Sequence, residues 1–208
     1  MTKRSLAGIA GIVAIATLIS KVFGLVRTQA IAATFAIGPV ADAYGLAYAI
    51  PGFLLVLLGG INGPFHSAIV RGVAYRKIDE IAPLVETITT LVGIGLLFVT
   101  LAIVIFAPSI IGVLGQRLSE NTETGAITRD VAILQLRIMD TMGMFAGLIG
   151  IGVGTLNAAD HYWLPSISPL FSSSAVIVAL GVVFFTIGDK IAEPRYALVG
   201  GAALAVGT

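Results

Sequence analysis

The sequence predicts an all-α bundle of membrane-spanning helices. Three observations carry that expectation: 57% of the 208 residues are hydrophobic, only 11% are charged, and the mean hydropathy is +1.03. A soluble domain carries roughly 25% charged residues, so this chain lacks the polar shell that water would require. Runs such as Leu96-Leu-Phe-Val-Thr-Leu-Ala-Ile-Val-Ile-Phe106 do not alternate apolar with polar residues. The strands of a membrane barrel would alternate over about 10 positions, so helices are how this backbone is satisfied in lipid.

A helix rises about 1.5 Å per residue and the bilayer core is about 30 Å thick, so a span needs about 20 mostly apolar residues. On that measure the spans run from Leu6 to Ala33, Ala43 to Val73, Ile81 to Val113, Val131 to Ala158 and Tyr162 to Ile187. A sixth begins at Tyr196 and is still running at Thr208, which reads as a fragment or a natural truncation. The first run is expected to stay as a helix and not to be removed as a signal peptide, because Lys21 and Arg27 interrupt it before the cleavage-like Ala30-Ile-Ala32. If the spans alternate, Lys3, Arg4, Arg71, Arg76 and Lys77 share one side, against Arg117, Arg129, Lys190 and Arg195 on the other. That asymmetry predicts a cytoplasmic N-terminus.

Composition also excludes function classes. A net charge of +1 with no basic block is not the footprint of a nucleic-acid binder. There is no Cys and there are only two His, so thiolate chemistry and a multi-His metal site are excluded, and no cofactor is implied. No Gly-x-Ser-x-Gly, phosphate loop or His-Glu-x-x-His is present, so the chain is not read as an enzyme.

What remains are a few charges in an apolar chain. Lys21 and Arg27 lie in or near the end of the first span, where a charge at mid-depth costs at least about 2.5 kcal/mol unless it meets water or a partner. Together with Ser20 and Thr28 they look like an anion site. At about 100° per residue they point about 120° apart, and Gly24 between them permits a bend. The second span is broken by Pro51, Gly52 and the run Gly59-Gly-Ile-Asn62-Gly63-Pro64, the kind of interruption that lines transporter cavities or allows close packing. Asp42, at the start of that span, is a site candidate or an N-cap. His66 reads as a hydrogen-bonded interior group, and Glu86 as a secondary candidate for a proton or cation. Arg137 and Asp140, at i and i+3, are expected to form an ion pair. Gly143, Gly147, Gly150 and Gly154 suit close helix packing.

These residues resemble a family. Ser20-Lys21-Val-Phe-Gly24-Leu-Val-Arg27, Ala41-Asp42-Ala43-Tyr44, Ile50-Pro51 and Gly63-Pro64-Phe65, followed by Thr155-Leu-Asn157-Ala158, Trp163-Leu-Pro165 and Pro169, are similar to the MurJ/MviN lipid II flippases. The resemblance implies the N-terminal lobe of a V-shaped, MATE-like transporter of the multidrug/oligosaccharidyl-lipid/polysaccharide exporter superfamily, its C-terminal lobe absent. It also implies alternating-access translocation of undecaprenyl-pyrophosphate-linked peptidoglycan precursor to the outer leaflet, for cell-wall synthesis. Lys21, Arg27 and Asp42 are then the substrate-binding candidates, with Lys21 standing where the family usually has Arg. The chain departs from the pattern at Leu54-Leu55, where many members carry an Arg pair, and at Asn62-Gly63-Pro64-Phe65, which replaces the usual Glu-Gly-Ala-Phe. The implied partners are lipid II, membrane lipids and the missing lobe that completes the cavity. An exporter of another lipid-linked polysaccharide or small molecule on the same fold, or a non-transporting membrane scaffold, are the alternatives.

Overall fold

The computed structural model describes residues 6–35, 38–59, 64–74, 78–116, 122–158, 163–188, 190 and 193–208. Every long element among them is helical. The order is α1 (Leu6–Phe35), α2 (Pro39–Leu54), a π-helical turn (Leu55–Gly59), α3 (Pro64–Ala74), α4 (Ile78–Leu114), α5 (Glu123–Met139), α6 (Thr141–Ala158), α7 (Trp163–Ile187), a 3-10 turn (Pro194–Tyr196) and α8 (Ala197–Gly207). Among the described residues, five segments are long and apolar enough to cross a bilayer, with α5 and α6 counted as one segment, Glu123–Ala158. The chain is an all-α polytopic membrane protein.

Local chemistry explains where the helices start, bend and stop. Gly38 precedes α2 and Pro39 opens it, a position where the missing N–H costs nothing. Pro51 removes the donor for the carbonyl of Ala47, and four residues later the helix widens into the π turn. The second apolar run is therefore two helices, α2 and α3. The fourth span begins with α5, eight residues before the expected Val131, because Thr122 caps it: its Oγ1 accepts from the Gly125 N–H at 3.2 Å. The polar first turns, with Glu123, Arg129 and Asp130, fall below an apolar-length criterion although their backbone is helical. The same segment breaks at Asp140, whose carbonyl accepts a short bond from the Gly143 N–H at 2.9 Å. Gly188, with φ 66, ends α7 in the left-handed conformation that suits glycine.

α5 is the axis of the bundle, packed against α2, α4 and α8, while α7 joins α8 to α1. Its Val131, Ala132, Leu136 and Met139 are completely buried in one cluster with Ala43 and Ala47 of α2, Leu204 of α8 and Val176 of α7. α6 packs on α3, α4 and the π turn through its glycines. A methyl group at Gly143 would stand 2.8 Å from Leu54 Cδ1 and one at Gly154 2.8 Å from Ile69 Cγ2, while one at Gly147 would collide with Leu96. These approaches are the packing role expected of the glycine stripe. The outward faces of α1, α4 and α7 expose Leu18, Leu91, Phe98 and Phe185, an apolar surface suited to lipid.

Candidate functional site

Between α1, α6 and α7 lies a cavity of about 1010 Å³. α1 supplies Ser20, Lys21, Gly24, Leu25 and Arg27, and the opposite wall is α7, with Pro165, Ser168, Pro169, Ser172 and Ser173. Tyr48 of α2, Leu55 and Val56 of the π turn, and Met142, Phe145, Ile149 and Val153 of α6 form the apolar floor, with Thr208 at its margin.

Among the described residues, the charged groups of this lining are both cations, and no carboxylate joins them. Lys21 is exposed and Arg27 half-buried, with its Nε shielded and without a hydrogen-bond partner among the described residues. α1 is helical without interruption through Gly24, so no break is needed to bring the two cations to one space. The cavity is wide enough to take side chains from both directions, and Gly24 keeps the wall between them low.

Hydroxyl groups make up the rest of the polar lining. Ser168 and Ser172, four residues apart, fall on one face of α7. Pro169 has no N–H, so the Pro165 carbonyl, on a residue lining the same cavity, loses its helical donor. The Ser20 hydroxyl donates to the Ser166 carbonyl at 3.1 Å and ties α1 to α7. Tyr48 stacks on Tyr44 with ring centroids 5.5 Å apart, and Gly52 is bare because its own Cβ would strike the Tyr48 ring. The Tyr44 and Thr208 hydroxyls stand 3.3 Å apart and close that margin.

Lys21 and Arg27 are thus brought to one cavity, and the other candidates stand elsewhere. Asp42 is exposed in the first turn of α2, outside the lining. It is not the N-cap, which is Gly38. Asn62 lies outside the described residues. His66 Nε2 sits 2.9 Å from Asn157 Nδ2, joining α3 to α6, and Asn157 Oδ1 has no partner among the described residues. Glu86 is exposed on α4, outside the lining, and its carbonyl accepts from Thr90.

The expected Arg137–Asp140 ion pair is not formed. Arg137 Nε donates instead to the Val104 carbonyl of α4 at 3.3 Å. Pro108 explains this: the residue that would donate to Val104 from four positions on has no N–H, and the arginine supplies the missing bond. Asp140 is fully buried, and neither carboxyl oxygen is hydrogen-bonded among the described residues. Sequence reading missed the α7 serines and Tyr48; hydroxyls at helical spacing beside two prolines were the available signal.

Comparison with known proteins agrees with the membrane architecture. The sequence model of the family described as "Lipid II flippase MurJ" matches residues 31–208. The chain is 56% identical over 207 residues to a probable lipid II flippase MurJ of Synechocystis sp., covering 100% of this chain and 38% of that protein. It is 25% identical over 180 residues to the protein so named in Rhizobium meliloti, covering 85% of this chain and 33% of the relative. To the lipid II flippase MurJ of Burkholderia cenocepacia it is 27% identical over 186 residues, covering 88% and 34%. It therefore spans about a third to two fifths of the length of these relatives. No solved structure matches the chain significantly. The family match begins four residues after Arg27, whereas the Synechocystis match takes in the whole chain and with it both cavity cations. On the extent of these matches, the chain belongs to the lipid II flippase MurJ family.

Proposed function

We propose that this chain forms the N-terminal lobe of a transporter that moves lipid II, the undecaprenyl-pyrophosphate-linked peptidoglycan precursor, from the cytoplasmic to the outer leaflet of a bacterial inner membrane. The observation that carries the reading is the cavity, with Lys21 and Arg27 on one wall and serine hydroxyls on the other. A pyrophosphate crossing an apolar layer needs cationic neutralisation, since an uncompensated charge there is prohibitively costly. A sugar–peptide headgroup needs hydroxyl and backbone partners. The cavity meets the upper end of the roughly 300–1,000 Å³ range of small-molecule sites, which suits a bulky headgroup better than a single ion.

Arg27 is the anion's bidentate partner and Lys21 a compact point charge with less geometric demand. A second lobe completes the cavity and adds another cation, and alternating access exposes it to each side in turn. No bond of the substrate is made or broken, so the protein acts as a carrier. Lys3, Arg4, Arg71, Arg76 and Lys77 set the N-terminus in the cytoplasm.

The test is growth of cells depleted of their own flippase and supplied with the two-lobed protein. The R27A variant is expected to fail and R27K to support partial growth, with equal amounts of each in the membrane. Full rescue by R27A would remove the proposed role of the cavity cation.

A further inference from the structure

Halfway along the fourth span stands an ionisable group that the cavity does not use. Asp140 is 17 residues from Glu123 and 18 from Ala158, the ends of that span. It occupies the break between α5 and α6 and is 0% exposed. Neither Oδ1 nor Oδ2 has a hydrogen-bond partner among the described residues. Thr100 of α4, itself buried, brings its hydroxyl close enough to interact with the carboxyl, short of hydrogen-bonding geometry. Thr87, Thr90, Thr128 and Thr155 instead turn their hydroxyls onto the carbonyl one turn back.

Among the described residues, the surrounding elements supply no counter-charge. α6, α8 and the π turn carry no titratable side chain. α2 carries Asp42, exposed in its first turn, and Tyr44 and Tyr48, which stack on each other. On α4, Glu86 is exposed and lies 14 residues before Thr100, about 21 Å along the helix. α5 carries Glu123, Arg129, Asp130 and Arg137, and the nearest of these, Arg137, is held by Val104. On α3, His66 is joined to Asn157 and Arg71 to the Ser67 carbonyl. None of these groups is paired with the carboxyl.

An ionised carboxylate with one neutral hydroxyl beside it and no cation, in an apolar interior, is far more costly than the neutral acid. The neutral acid is also a hydrogen-bond donor, and a hydroxyl beside it is a ready acceptor. We propose that Asp140, opposed by Thr100, is a proton-binding site at mid-membrane. The carboxyl carries its proton while α4, α5 and α6 are packed together. When the interface opens to water, the O–H bond breaks, the proton passes to water and the carboxylate is left hydrated. Such a site ties protonation to the packing of the lobe, independently of what occupies the cavity.

The test is infrared spectroscopy of the purified protein at neutral pH in vesicles of phosphatidylethanolamine and phosphatidylglycerol. The wild type is expected to show the C=O stretch of a protonated carboxyl, lost in D140N and shifted in T100V. Persistence of the band in D140N would overturn the proposal, as would a wild-type spectrum without it. Thermal stability in sodium chloride is compared with that in choline chloride. A sodium-dependent rise in the wild type that is absent from D140N would assign the site to a metal cation and also overturn it. Should D140N fail to fold, T100V decides: an unmoved band would show that no acid is held against that hydroxyl.

Discussion

Replacing Arg137 with Met keeps much of the apolar stem of the side chain and removes the donor to Val104. The bond is 3.3 Å long and its guanidinium is exposed. Its charge assistance, roughly 1.5–3 kcal/mol at best, is therefore reduced, and the expected loss is about 1–2 kcal/mol, including the cost of an orphaned carbonyl. The decisive comparison is the same change in a P108A background, where an alanine N–H restores the helical donor four residues after Val104. There the cost of R137M should fall close to zero, a coupling of about 1–2 kcal/mol by double-mutant cycle. Equilibrium unfolding in mixed detergent micelles measures all four proteins. An equal cost of R137M with and without Pro108 would refute the argument. A cost that vanishes in D140N instead would restore the ion pair that spacing suggested.

Two further outcomes follow from the packing and the lining. G147L drives a side chain into Leu96 and Val92 and is expected to lose about 1–3 kcal/mol by the same unfolding measurement, whereas G24A, with nothing within 4 Å of the added methyl, should be nearly neutral. Removing the Ser168 and Ser172 hydroxyls in S168A and S172A should each weaken lipid II binding about 2- to 10-fold in a vesicle binding assay, as expected for one hydrogen bond apiece.

The spans were legible because burial in lipid is written as uninterrupted apolar length, and that signal needs no partner. Boundaries were less so: Thr122 carried a capping signal, yet the polar turn after it hid the start of α5 from a hydropathy criterion. The site divided along a similar line. Lys21 and Arg27 stood out because charges in an apolar run are costly wherever the neighbours lie. Asp42 and the α7 serines could not be sorted in the same way, since which face of a helix meets a cavity depends on helices distant in sequence. Arg137 shows the limit most clearly. Its spacing to Asp140 was visible, but the competing acceptor, a carbonyl freed by Pro108, lies on another helix.

The arrangement of the two cations bears on how an anion is held. Six residues separate Lys21 from Arg27, about 9 Å along α1 and about 120° around it. One phosphate cannot be clamped by both from such positions without large side-chain excursions, so each cation acts on its own part of the charge. Independent contacts at this separation add in free energy. K21A and R27A should therefore each weaken lipid II binding in part, and the double variant should show the product of the two factors. Arg27, half-buried with its Nε unpartnered, should give the larger single loss, because a less solvated charge interacts more strongly. If either single variant already loses as much as the double, the cations form one clamp. The independent-contact reading of the cavity wall would then fail.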